Sequence, residues 1–362
     1  MKKYFSLKEY KIYNKKRAKK SLEARQRFKD YKENKNSKNL GKQKDYRHSS
    51  SHPFKDYKKI YAPTEFSLIT NPEEVISFIC ELHNCFENRK KVFVVLRYVE
   101  KIDYDAIIVL LSIMIRFKAM KIRFNGDFPI DSASERRLKD SGFFNNLYKT
   151  FEDRDTYYLS SQRNNFITHA SKEVNSNLTA QIIENAAEKI WGEPKRCMGV
   201  QTTLNELAQN TVNWASFQGE GEQHWWLSIN YSPNDNKVRF SFVDYGVGIF
   251  KSLDQKNESS KFFGVLNKMW EKFKYGSNAE LLRLILNGEL HRTISEEYYR
   301  GQGLPGLLDS LEENWFSKLY IITNDVYANI EKDKYTILRN SFNGTFIYWE
   351  IDSNSKHFEI EK

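Results

Sequence analysis

The first sixty residues carry a charge density that no buried core can accommodate. They hold 21 Lys and Arg against 6 Asp and Glu, a net +15, while the whole 362-residue chain has a formal net charge of +10. The other 302 residues therefore carry 10 − 15 = −5. A segment so rich in cations and poor in aliphatics buries too little apolar surface to offset its ordering entropy. Residues 1–60 thus read as a flexible basic arm on a mildly acidic body. Residues 15–31 lack Gly and Pro and can form a basic helix. Cations that neutralise phosphates release counterions, so nucleic acid is one expected partner of the arm. An acidic protein is another, and a solubilising tail is the plain alternative. Tyr4, Tyr10, Tyr13, Phe28 and Tyr31 offer rings for base stacking, although no RNA-binding motif accompanies them.

The rest of the chain has the composition of a packed protein. At about 150 residues per domain the length suggests two domains. The longest near-continuous apolar run, residues 106–115, is broken only by Ser112. It is about half of the ~20 residues a membrane span needs, so it reads as a buried helix and no membrane partner is expected. No apolar stretch with a small-residue cleavage site opens the chain. Cys80, Cys85 and Cys197 are too few for a disulfide framework. The expected setting is the cytoplasm.

Residues 92–99 (VFVVLRYV) are apolar on both faces, as in a buried strand. Asp103 then opens a helical run and can cap its first turn. A second strand is expected over residues 121–125, ending in a Gly126-Asp127 turn. A second helix starts within residues 132–138 and ends near Ser141-Gly142-Phe143. Strand, helix, strand, helix is a parallel-sheet rhythm. This order resembles a STAS domain, the module of anti-sigma-factor antagonists, over residues 66–150. The phosphorylated Ser of that family is missing, since Tyr104 and Asp105 follow Asp103. The resemblance therefore implies docking or scaffolding by a domain spanning 61–165. His83 between Cys80 and Cys85 lies on an apolar-faced helix with Ile76, Phe78, Ile79 and Leu82, and the three read as ordinary core and surface residues.

The chemistry is concentrated further on. Residues 204–215 (LNELAQNTVNWA) form a helix at 100° per residue, with Glu206, Asn210 and Asn213 within a narrow line. Relative to Glu206, Asn210 falls at about 40° and Asn213 at about −20°, opposite an apolar stripe of Leu204, Leu207, Ala208, Val212, Trp214 and Ala215. Oxygens in that line can ligate Mg²⁺ and orient a water, although an ordinary solvent face is the bland alternative. Residues 237–243 alternate as a strand and run into Asp244-Tyr245-Gly246-Val247-Gly248. Two glycines there permit a sharp turn and close approach to a ligand. Arg300-Gly301-Gln302-Gly303-Leu304-Pro305-Gly306 then leads into an apolar helix, a loop type that favours phosphate. A last strand, residues 343–350, contains Gly344-Thr345.

Taken in order, these segments resemble the N, G1, G2 and G3 boxes of the GHKL superfamily, the ATP-binding fold of gyrase, Hsp90, MutL and histidine kinases. The resemblance covers about residues 170–352 of a domain running from 166 to 362. It implies an α/β fold in which a mixed sheet carries helices on one face, the Bergerat sandwich. It implies ATP and Mg²⁺ as ligands. Asn210 would coordinate Mg²⁺, and Asn213 would reach the phosphates or the metal. Asp244 would accept the adenine amino group with Thr345 in support, while Gly246 and Gly248 shape the turn. Gly301, Gly303 and the Leu304 amide would cradle the phosphates. Pro305 stands in place of a third glycine, with Gly306 next to it. Glu206 takes the position of the general base, and residues 250–300 match the ATP lid, with helices expected over 262–273 and 278–286. The lysine that a following domain supplies in hydrolysing members would be replaced by Arg300, Lys261 or a partner.

The expected function is an ATPase or nucleotide-gated switch acting on an unidentified partner protein in bacterial signalling or defence, with a homodimer in keeping with the superfamily. Serine-kinase activity of the anti-sigma class and a structural ATP beside a nucleic-acid-binding arm are the alternatives. A histidine autokinase fits less well, because His169 lies only 37 residues before Glu206, without room for a dimerising hairpin.

Overall fold

The described residues build three sheets, one of them a two-stranded parallel pair, and a pair of helices is buried between the two larger ones. The computed structural model describes residues 54–148, 165–171, 176–214, 224–250, 277–288 and 304–360. The chain divides into two units, Met1–Lys55 and Asp56–Lys362, and every element below belongs to the second. Its first part runs β1 (Lys58–Tyr61), β2 (Glu65–Phe66), α1 (Pro72–Glu87), β3 (Val92–Val95), β4 (Lys101–Ile102), α2 (Tyr104–Ala119), β5 (Phe124–Gly126), α3 (Ser132–Asp140) and α4 (Phe143–Tyr148). The second part runs β6 (Asn165–Ser171), α5 (Ser176–Trp191), α6 (Met198–Trp214), β7 (His224–Ser232), β8 (Lys237–Asp244), α7 (Asn278–Leu286), α8 (Pro305–Glu312), β9 (Ser317–Asn329) and β10 (Lys334–Asp352). The class is therefore α/β, with both parallel and antiparallel sheets.

The expected parallel unit is present as a three-stranded sheet in the order β1-β3-β5, both pairings parallel. Its first strand lies inside the stretch assigned to the basic arm, because Ile60 is fully buried and Lys58–Tyr61 pairs with Val92–Val95. The arm as read from charge therefore overruns the folded body. β3 stops at Val95, short of the expected residue 99. The Asp127 carboxylate takes the Leu96 and Arg97 amides at 2.6 and 3.1 Å and turns the chain there. Residues 121–123 are not strand either: Lys121 adopts φ 57° and Ile122 N–H donates to the Phe117 carbonyl, closing α2 in a left-handed cap. Asp103 is the N-cap of α2 but makes no side-chain cap bond, and its carboxylate accepts instead from Arg137 at 2.6 Å. Asp131 does cap α3, accepting from Ser134 N–H at 2.7 Å.

The second sheet has the order β6-β7-β8-β10-β9 and is antiparallel at each of its four pairings, where a mixed sheet was expected. A strand's side chains alternate between faces, so this sheet serves two cores. Leu227, Phe240, Phe242, Ile347 and Trp349 point into the core formed with α5, α6, α7 and α8. Trp226, Val243, Ile322, Phe346 and Tyr348 point the other way, into a core shared with α1 and α2. Helices thus cover both faces of the sheet, not one. α1 and α2 also touch the small parallel sheet, so they lie between the two sheets. This explains why α2 is apolar nearly all round: from Asp105 to Phe117 only Arg116 escapes full burial. His83 and Cys85 are buried on α1, and burial with the neighbouring Arg116 cation holds the His83 pKa down at about 3. Among the described residues no helix is long and apolar enough to cross a membrane.

Trp349 is fully buried and stacks on Phe240, with ring centroids 5.2 Å apart at 4°. Trp349→Ala should cost about 3–5 kcal/mol of stability, read from the urea midpoint at unchanged slope. A loss below about 1 kcal/mol would contradict this packing.

Candidate functional site

Two clusters of residues singled out in the sequence border the core beneath α5–α8. The first is on α6. Its apolar stripe (Leu204, Leu207, Ala208) is buried, which turns Glu206 and Asn210 toward the half-exposed side. Glu206 Oε2 is inaccessible to solvent and has no hydrogen-bond partner among the described residues. A Cβ added to Gly306 would lie 3.2 Å from that oxygen, so the first turn of α8 closes directly over the carboxylate. Burial, and then the Asp309 carboxylate one turn further along α8, hold the Glu206 pKa above the ordinary carboxylate range. A base so raised is better matched to taking a proton near neutral pH. Pro305 fits the first turn of α8, where its missing N–H costs no intrahelical bond, and Leu304 is the N-cap.

The second cluster is at the end of β8. Asp244 is the last residue of the strand and is buried; it stands opposite Thr345 of β10 in the antiparallel register. Its Oδ1 accepts from Gly246 N–H at 2.8 Å, and Thr345 donates to the carboxyl through hydroxyl and amide. Burial outweighs these donors and pushes the Asp244 pKa up to about 6. Asp244 and Thr345, picked out in two separate segments of the sequence, are thus hydrogen-bonded neighbours. The chain then turns at Gly248, with φ +80°, and buries Ile249 and Phe250 in the same core as Leu204, Leu207 and Leu307. Both clusters therefore rest on one core.

Several residues of this site had no local signal in the sequence. A Cβ on Gly248 would come within 2.4 Å of the Asn324 side chain, which fills the turn from β9. Asn324 Nδ2 donates to the Val247 carbonyl at 3.3 Å, and the Thr323 hydroxyl accepts from Ile249 N–H at 3.0 Å. This brace depends on pairing about 75 residues away in the chain. Gly344 has φ +131°, and a Cβ there would meet the Asp244 carbonyl at 2.0 Å, so only glycine lets β10 pass the strand end. Tyr245 points to the opposite side of the sheet. Its hydroxyl donates to the Val109 carbonyl (3.2 Å) and accepts from Ser112 (2.8 Å), and its ring packs on Arg116 and His83 of α2 and α1.

Asn213 lies on α6, and its side chain is outside the described residues, as are Arg300, Gly301 and Gly303. So are most of residues 250–300, including the helix expected over 262–273. The helix expected at 278–286 is α7, which opens with a capping box between Ser277 and Glu280. Among the described residues no three His, Cys, Asp or Glu side chains converge on one point. Neither the protein-family models nor the curated proteins compared with this chain match it.

An aspartate whose native pKa is about 6, against about 4 unfolded, binds its proton more tightly when folded. Its contribution is therefore greatest below pH 4 and is lost as pH rises toward 6. Asp244→Asn should remove that decline, which comparison of urea midpoints between pH 4 and 7 reads directly. Parallel pH profiles in the two proteins would contradict the burial of an ionising Asp244.

Proposed function

We propose that this chain binds Mg-ATP in a GHKL-type site and hydrolyses it, acting as a nucleotide-gated switch on a partner protein. The observation that carries the reading is the set of pairings the fold makes among motifs far apart in sequence. Asp244 meets Thr345 across the sheet, and Glu206 meets Gly306 at the start of α8. These residues belong to the four segments that resemble the N, G1, G2 and G3 boxes, and their pairing supports the reading. The helices α5–α8 over an antiparallel sheet are compatible with a Bergerat-type layer, and the β1-β3-β5 unit with its helices is compatible with a STAS-like one.

The residues present suit the ligand. Glu206 has an orphaned buried oxygen facing a glycine at a helix start, and Asp244 offers a buried carboxyl held by Gly246 and Thr345. Asp244, supported by Thr345, would accept the adenine amino group, and Gly246 and Gly248 let the backbone pass beneath the base. The Leu304 and Gly306 segment, with Arg300, Gly301 and Gly303 before it, would receive the phosphates at the N-terminus of α8. Asn210, with Asn213 a turn later, would hold Mg²⁺, which supplies charge neutralisation at the phosphates. Glu206 would take the proton of the attacking water, its basicity raised by burial and Asp309. Residues between α7 and α8 and before α7 would act as the lid that excludes water.

Glu206→Ala should lower hydrolysis on the order of 10²–10⁴-fold while leaving ATP binding intact. Asp244→Ala should weaken binding itself, by on the order of tenfold or more. Phosphate release together with equilibrium ATP titration distinguishes the two, and retained turnover in the Glu206 variant would overturn the general-base role. The basic segment supports a second, separable interaction with nucleic acid. Because β1 begins at Lys58, the deletion that tests it is residues 1–53 and not 1–60. That deletion should abolish salt-sensitive retention of single- or double-stranded nucleic acid and leave ATP binding unchanged. Undiminished retention would move the interaction to the folded body.

A further inference from the structure

A parallel sheet is ordinarily covered on both faces. In the β1-β3-β5 sheet one face is covered by α1 and α2. Ile60, Val92 and Val94 lie in the core those helices share, Phe124 packs against it, and Lys58 reaches Glu81 of α1. Side chains alternate along a strand, so the residues between these point the other way. The register aligns them in rows, Lys59 with Phe93 and Asn125, and Tyr61 with Val95. Val95 is buried yet belongs to neither helix-packed core, while Lys59, Tyr61 and Asn125 are exposed. The second face of the sheet is therefore open at these positions.

Rings and cations stand together along this face. Tyr61 and Tyr98 stack on each other with centroids 6.3 Å apart at 25°, and each is 56% exposed. Tyr57, two residues before Lys59, lies beneath the Lys91 ammonium at 5.8 Å, which puts Lys91 on the same side. A lone exposed tyrosine is ordinary, but a stacked pair among cations is not. The chain beyond residue 60 is mildly acidic, yet here the balance is positive. Lys59, Lys91, Arg97 and Arg123 are set against Asp56 and Asp127. Asp56 accepts from Lys91, and Arg123 is near enough that its charge also helps hold the Asp56 carboxyl below its ordinary range. Asp127 accepts from Arg97 at 2.7 Å. Lys59 and Arg123, both exposed, are the cations in excess.

The two components match the two halves of a nucleotide. Cations take phosphate and release counterions, and ring faces take bases. A base can lie on a tyrosine ring only when it is unstacked, because in a duplex both of its faces are already covered by neighbouring bases. We infer that the open face of the β1-β3-β5 sheet binds single-stranded nucleic acid, with bases against Tyr61 and Tyr98 and phosphates toward Lys59 and Arg123. The site is on the folded body and on a different sheet from Asp244. It extends the nucleic-acid reading of the basic segment given above. That segment attracts phosphate on any strand and supplies affinity, and the sheet face supplies the preference for single strands.

The test is fluorescence anisotropy of the full chain with labelled oligothymidine of about fifteen nucleotides and with a duplex of the same length. The single strand should bind more tightly than the duplex, by about fivefold or more. Tyr61→Leu and Tyr98→Leu should each weaken the single strand by about fivefold or more and leave the duplex unchanged, while Tyr61→Trp should retain binding. Lys59→Gln should lower the salt dependence by about one counterion. Both tyrosines are exposed, so urea midpoints should stay unchanged and the losses report on binding. Equal affinity for the two probes, or undiminished single-strand binding in both leucine variants, would overturn the face and leave the role of the basic segment standing. Single-strand binding that is lost in those variants, with no duplex binding in any protein, would support the face and remove the role of the segment. Binding of neither probe would overturn both. Loss of a dimer in sedimentation of the leucine variants, with the single strand unaffected, would give the face to a second copy of the chain instead.

Discussion

Strands β7, β8, β9 and β10 of the central sheet each have to satisfy two cores at once, and most of this structure follows from that constraint. The alternation of Val238, Phe240 and Phe242 toward one side, with Val243 and Tyr245 toward the other, leaves no strand free to slip by a residue. A one-residue shift would send Phe240 and Trp349 into the α1–α2 layer and expose Asp244 to the wrong side of the sheet. The small parallel sheet depends on the same constraint from a distance, because α2 can remain apolar on all sides only while both sheets enclose it.

The candidate nucleotide site lies where that two-sided packing stops. At the end of β8 successive residues diverge: Asp244 is buried with Thr345, Tyr245 reaches across to Val109 and Ser112, and Gly248 yields its space to Asn324. Burying an ionisable carboxyl there opposes stability at neutral pH. The Tyr245 contact also means that the loop which would support the base touches the helices of the other layer. A change in that loop acts directly on α2, with no intervening element.

Much of this was legible in the sequence wherever chemistry and periodicity are local. The α6 stripe, the end of β8 at Asp244, the capped α7 and the α3 boundary follow from spacing, glycine and capping residues within a few positions. The errors arose where distant groups decide. Residues 96–99 look like strand by their apolar character, but Asp127, some thirty residues on, draws their amides into a turn. Lys58–Tyr61 is masked by the charge around it, and only its pairing with β3 makes it a strand. Asp103 is the N-cap residue of α2, but Arg137, over thirty residues on, takes its carboxylate and leaves the cap bond unmade. The Thr323–Asn324 brace and the open face of the small parallel sheet have no signature at all before the sheets are assembled, since both are made by strands that meet only in three dimensions.

The most direct test is incubation of the purified full chain with γ-labelled ATP and Mg²⁺, following free phosphate and protein-bound label together. Release of free phosphate with no label on the protein is the outcome predicted here. Label transferred to the chain or to an added protein would contradict hydrolysis in favour of a kinase, and no retention of ATP at all would remove the nucleotide site.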